Sequence, residues 1–207
     1  MNVLLINGSP HQYGCTHTAL LEVAQQLQLE GIDTQELHIG SQAIHPCTAC
    51  GSCSRTGLCV FQDDPVNKAV ELTHKADGLI VGTPVYYGAP NGSLCAFLDR
   101  MFFIKNKKFA YKPAAAVVSC RRGGASAAFD RLNKYFTISS MPVVSSQYWN
   151  SVHGTTPEEV RQDLEGMQTM RTLARNMAWL IKCIVTARPT VPFPQQEKHT
   201  STNFIRN

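Results

Sequence analysis

The chain carries little charge: only 16% of its 207 residues are acidic or basic, 19 Lys and Arg against 15 Asp and Glu, for a net charge of +4. No long block of one sign occurs, so nucleic acid and anionic membrane surfaces gain little support as partners. A small anionic ligand suffices to explain the excess. Long apolar runs are also missing, and nothing approaches the roughly 18 consecutive apolar residues of a membrane span. The apolar start MNVLLIN has no basic region and runs directly into Gly8-Ser9-Pro10, so it reads as a first strand and not as a signal peptide. A cytoplasmic location is the expectation. In that reducing compartment the eight cysteines are read as metal ligands, redox groups or small core residues rather than disulfides.

Three catalytic or nucleotide-binding motifs are absent as well. The loop GSPHQYGCTHT, residues 8–18, contains neither G-x-G-x-x-G nor the lysine-bearing phosphate loop, which weakens the dinucleotide and NTPase readings. A tyrosine phosphatase needs an arginine six residues after its nucleophilic cysteine. That position holds Leu21 after Cys15 and Ser126 after Cys120.

Four cysteines stand within thirteen residues: Cys47, Cys50, Cys53 and Cys59 in PCTACGSCSRTGLCVFQDD. Two-residue gaps let the chain turn so that successive thiols converge on one soft-metal centre, with Cys59 closing the set. Spacing alone leaves open an iron-sulfur centre, zinc or empty thiols.

Around this run, strand-like and helix-like segments alternate. Strands are predicted at Val3–Ile6, Thr34–Ile39, Gly78–Gly82, Ala114–Ser119 and Pro142–Ser146. Helices are predicted at Thr16–Leu29, from Asp64-Pro65 to Lys75, at Ser93–Phe103, from Gly123-Gly124 to Phe136, and as one long helix from Thr156-Pro157 to about Ile184. Five strands separated by helices imply a parallel sheet with right-handed crossovers, a doubly wound three-layer α/β sandwich of strand order 2-1-3-4-5. The expectation is one domain over residues 1–188, with a cysteine-rich loop at 44–64 and a tail over 189–207.

In such a sheet, ligands sit beyond the carboxyl ends of the strands. The loop after the first strand offers Ser9, His11, Thr16 and Thr18 together with the N–H groups of a helix start, which can cradle a phosphate without lysine or serve simply as a cap. After the third strand, Pro84-Val85-Tyr86-Tyr87-Gly88 suits a planar heteroaromatic ring, or a rigid turn. After the fourth, Ser119-Cys120-Arg121-Arg122-Gly123-Gly124 offers guanidinium groups for a reduced ring or a nucleotide phosphate, or a solvated basic turn. Cys95 and Cys183 read as core residues. Lys105, Lys107, Lys108 and Lys112 read as a solvated face. Tyr148-Trp149 reads as a shield for a bound ring or a packing element.

Taken together, GSPHQYGCTHTAL, the cysteine run, TPVYYGAPNGSL, SCRRGGASAAFDRLNKYF and the ending TNFIR resemble the NAD(P)H-dependent FMN reductases of the flavodoxin-like superfamily, and within them the iron-sulfur flavoproteins. The resemblance spans essentially the whole chain. It implies that Ser9, His11, Cys15, Thr16, His17 and Thr18 hold the FMN phosphate. Pro84, Val85, Tyr86, Tyr87 and Gly88 would line the isoalloxazine, with Ser119, Arg121, Arg122, Gly123 and Gly124 closing the other side. It further implies a 4Fe-4S cluster on Cys47, Cys50, Cys53 and Cys59. NAD(P)H or a reduced carrier would be the donor, a small molecule or protein the acceptor, and the assembly a homodimer or homotetramer. Cys15 departs from the pattern, since asparagine is commoner there, but its backbone N–H still serves a phosphate.

Overall fold

The middle strands of the sheet bury nearly every side chain because helices cover both of their faces. In the computed structural model, which describes residues 1–104, 109–195, 197, 198, 200 and 202, this centre consists of β1 (Asn2–Asn7), β3 (Gly78–Tyr86) and β5 (Ala114–Cys120). The edges are β2 (Asp33–His38) and β6 (Ser151–His153), and the parallel order is β2-β1-β3-β5-β6. A two-residue strand, β4 (Ala89–Pro90), folds back antiparallel on the end of β3. With this hairpin set aside, the five parallel strands stand in the 2-1-3-4-5 order expected from the sequence.

The period-two alternation of each strand sorts its side chains between two cores. Val3, Leu5, Ile80, Ala115 and Val117 face one layer, α1 (Cys15–Leu29), α6 (Pro157–Gln162) and α7 (Leu164–Ala187). Leu4, Ile6, Leu79, Val81, Ala114 and Ala116 face the other, α3 (Val66–Lys75), α4 (Gly92–Phe103) and α5 (Ala125–Thr137). A single turn, α2 (Cys53–Thr56), lies inside the cysteine loop. Among the described residues no helix is long and apolar enough to cross a membrane.

Two elements differ from the sequence reading. The predicted fifth strand at Pro142–Ser146 enters the sheet only through a bridge between Val143 and Ala114, and β6 begins at Ser151. Proline has no N–H for a ladder. Beyond it the Ser146 hydroxyl lies 2.6 Å from Tyr148 O and 2.7 Å from Asn150 Oδ1, turning the chain outward. It returns where Asn150 O accepts the Val118 N–H. The predicted long helix is likewise broken, at Asp163, whose carboxylate accepts the N–H of Gly166 at 2.9 Å and of His153 at 2.7 Å. One side chain thus caps α7 and ties its start to β6.

The helix start at Thr156 forms as expected, as a full capping box with Glu159. Asp64 accepts the Val66 N–H, although Pro65 stands one position before the helix rather than within it. Lys105, Lys107, Lys108, Phe204 and Ile205 lie outside the described residues. Lys112 turns inward, and its ammonium donates to the carbonyls of His74 and Ala76. Replacing Asp163 with Ala is expected to lower stability by about 1–2 kcal/mol, the loss of a cap and of a second backbone acceptor. A lower urea midpoint at unchanged slope checks this.

Candidate functional site

The carboxyl ends of β1, β3 and β5 meet at one open cleft of about 1120 Å³, including its mouth. Its first wall is the loop after β1, shaped by Asn7. This fully buried amide accepts the Ser9 N–H at 3.0 Å and donates to Gln12 O at 3.2 Å and Glu36 Oε1 at 2.8 Å. The Ser9 hydroxyl accepts the His11 N–H at 3.1 Å, and the His38 ring donates to Ser9 O at 2.7 Å. The loop is therefore preset, yet no side chain caps the start of α1. The first N–H groups of a helix carry partial positive charge and need an acceptor.

Glycine at position 82 lets α1 lie directly on β3. A Cβ there would stand 2.8 Å from Leu20 Cδ1 and 2.9 Å from Thr16 Cγ2. This approach seats the buried Thr16 hydroxyl 2.8 Å from that of Ser119 at the end of β5, joining the first and third loops. The second loop is a tight hairpin whose two turn residues, Tyr87 and Gly88, both have positive φ, 50° and 75°. Its return is held by the Asn91 N–H donating to Thr83 Oγ1 at 3.0 Å, while the Asn91 side chain caps α4. Gly124, at φ 91°, packs so closely that a Cβ would stand 2.8 Å from Gly88 Cα. The third loop thereby locks onto the second.

Of the residues singled out in the sequence, Ser9, His11, Cys15, Thr16, Pro84, Tyr86 and Ser119 line the cleft. His17 instead pairs with Glu36 at 2.9 Å, and the Thr18 hydroxyl donates to Gly14 O at 3.3 Å. Val85 is half-buried, Tyr87 is fully exposed at the hairpin tip, and Arg121, Arg122 and Gly123 are exposed beyond the end of β5. Sequence reasoning missed Asn7, visible only as a lone polar residue closing an apolar strand. It also missed Thr155, Thr156 and Pro157 as cleft walls, reading Thr156-Pro157 only as a helix start and Thr155 not at all.

A second cavity, of about 350 Å³, shares no lining residue with the cleft. All four clustered cysteines line it, against Val60, Phe61, Phe103 and Ile104. Cys53 is buried, Cys59 half-buried, and Cys47 and Cys50 exposed. Among the described residues no three Cys, His, Asp or Glu side chains converge as a formed metal site. The donor set, four thiols around one largely apolar hollow, fits a soft metal or an iron-sulfur group. Beneath it Arg100 and Asp64 form an ion pair with side chains 1% and 0% exposed.

All eight cysteines are free. Backbone and side-chain hydrogen bonds from Ser52 hold the Cys50 thiol below its ordinary range, whereas burial pushes Cys15, Cys95 and Cys120 up. Cys95 is half-buried and Cys183 exposed, so Cys183 is not a core residue: its place on α7 faces solvent. Only the thiolate is nucleophilic. In metal-free protein at neutral pH, Cys50 is expected to react with iodoacetamide several-fold faster than Cys15, Cys95 or Cys120. Peptide mass spectrometry over a time course reads the order directly.

Residues 1–156 match the sequence pattern of a family described as NADPH-dependent FMN reductase. The chain is 31% identical over 195 residues to an iron-sulfur flavoprotein of Methanocaldococcus jannaschii, covering 89% of this chain and 99% of that one. It is also 31% identical over 191 residues to an iron-sulfur flavoprotein of Methanosarcina thermophila, covering 89% and 97%. Among solved structures, a flavodoxin, the WrbA-like protein of Agrobacterium tumefaciens, shares the fold at a TM-score of 0.62 and 16% identity, covering 88% of this chain and 98% of that one.

Proposed function

The chain belongs to the NADPH-dependent FMN reductase family, and from that premise we propose that it is an FMN-dependent oxidoreductase that takes electrons from NAD(P)H or a reduced carrier and passes them to a quinone, a flavin or a dye. The cleft carries this reading. An uncapped helix start, a preset hydroxyl-bearing loop and a buried hydroxyl pair converge there with Pro84 and Tyr86 at the carboxyl ends of the central strands.

These features fit FMN. Ser9, His11, Cys15, Thr16 and His17 would hold the phosphate through hydroxyls and the N–H groups of the first turn of α1, while Thr18 keeps both its hydroxyl and its N–H on Gly14 O. Pro84, Val85, Tyr86, Tyr87 and Gly88 would line the ring on one side, and Ser119, Arg121, Arg122, Gly123 and Gly124 on the other. Bound there, FMN supplies the hydride and electron chemistry. The chain's own work is to orient the ring and, through Tyr86 and the hairpin, to limit water at its edge. No side chain is assigned as a catalytic acid or base.

A second reading is favoured by the cysteine cavity: an iron-sulfur flavoprotein that carries electrons between ferredoxin and a protein partner. Cys47, Cys50, Cys53 and Cys59 would hold a 4Fe-4S cluster, which supplies one-electron exchange. The similarity to iron-sulfur flavoproteins supports it. Free thiols throughout the chain suit a reducing cytoplasm. Trp149 and Trp179, 56% and 67% exposed, suit burial in a homodimer or homotetramer; a monomeric mass at micromolar concentration would count against that assembly.

Protein purified without oxygen is expected to show flavin absorption, one FMN per chain by chromatography, and NAD(P)H turnover with a quinone or free flavin. Failure to bind FMN sinks the enzyme reading. Iron and acid-labile sulfide at about four each per chain, with reduction by ferredoxin only, would favour the carrier instead. Thr16→Val, which removes the hydroxyl partner of Ser119, is expected to weaken FMN binding about tenfold, measured by quenching of flavin fluorescence.

A further inference from the structure

Arg100 lies on α4, next to Asp99 in a mostly apolar helix, and its guanidinium ends directly beneath the cysteine cavity, which it helps to line. Its donors spread over both arms of the loop. Nε donates to Cys59 Sγ at 3.2 Å, Nη1 to His45 O at 3.3 Å and to Asp64, and Nη2 to Phe61 O at 3.2 Å. The guanidinium carbon stands 5.1 Å from the centre of the Phe61 ring, on which His45 stacks at 4.5 Å. The residues on either side of the thiol cluster are thus gathered onto one planar group.

Asp64 already balances the buried charge, so the Nε–H to Cys59 is not needed for neutrality. That thiol's backbone is held separately: its N–H donates to Asn67 Oδ1 at 2.8 Å, and Asn67 Nδ2 donates to its carbonyl at 3.0 Å. Asn67 sets where Cys59 sits, and Arg100 sets where its sulfur points. We propose that Arg100 is the positioning residue of the cysteine loop: it holds both arms together before any metal arrives, and its Nε–H tunes the sulfur of Cys59 once that sulfur is a ligand.

The second half of this proposal rests on the iron-sulfur reading above. An electron added to a cluster raises the negative charge on its sulfurs, so an N–H aimed at one of them stabilises the reduced form and raises the potential. Lysine preserves the charge but has no rigid fork to reach acceptors on both arms.

The test compares wild type with Arg100→Lys. In iron-free protein, backbone amides over residues 44–64 are expected to exchange faster in the variant, while FMN affinity is unchanged because the two cavities share no wall. After anaerobic reconstitution with iron and sulfide, the variant is expected to show a lower cluster midpoint potential in a titration with a chemical reductant. It should also lose iron to a chelator about 10–100-fold more readily. An unchanged potential in a loaded variant overturns the proposal, because a core ion pair without a tuning role would leave it unmoved. If wild type takes up no iron and sulfide, the iron-sulfur reading fails on its own, and amide exchange then decides the positioning role: faster exchange supports it and unchanged exchange overturns it. Should Arg100→Lys fail to fold, the paired Arg100→Met and Asp64→Leu variant removes the ion pair as a unit and is read by the same measurements.

Discussion

Everything polar in this protein is displaced by one constraint, the burial of β1, β3 and β5 on both faces. A strand covered above and below has no room for a side chain that needs water, and the runs VLLI, GLIVG and AAAVV obey this residue by residue. Polar chemistry is left with the strand ends. At the carboxyl ends, three loops run from the sheet into α1 on one face and α4 and α5 on the other, and their first turns meet above the strand ends. The cleft is a consequence of topology before it is a product of any one residue.

What makes the cleft specific is a small set of buried polar residues that satisfy the loops from within. Asn7 holds the first loop with two hydrogen bonds and ties it to Glu36 with a third, and Thr83 and Asn91 close the second. The Thr16 and Ser119 hydroxyls join the first to the third. A buried polar group without partners is costly, so each of these contacts both stabilises the fold and fixes a loop. The helix start they leave uncapped suits an anion, with no Lys or Arg in its loop: a weaker attraction than a lysine would give but one already oriented.

The cysteine cavity follows the opposite electrostatic design. It has a cation, but one sunk below the thiols and neutralised by Asp64, so what reaches the cavity is a directed N–H rather than a free positive charge. A compact loop of 21 residues, 44–64, with little regular structure can hold its shape because its ends share that one partner. Phe61 and His45 stacked on the loop complete the packing.

Much of this was legible in the sequence wherever a signal is local. Hydrophobic period and length marked the four long strands; Thr156-Pro157-Glu158-Glu159 marked its helix start; cysteine spacing marked four thiols that do share one cavity. The signals failed where a distant partner decides. Pro142–Ser146 looks like a strand, but the Ser146 hydroxyl and Asn150 divert it; the helix after Thr156 looks continuous, but Asp163 has backbone N–H groups from two elements to satisfy. Asn7 and Arg100 have neighbours in sequence that say nothing of their roles. By itself the sequence determined the layers, the strand order and which loops lie at the carboxyl ends of the strands, because burial and turn formation are written in short-range patterns. Only the tertiary structure decided which side chains meet across those loops, because a hydrogen bond between residues 16 and 119 or 59 and 100 exists only once the sheet has brought their elements together.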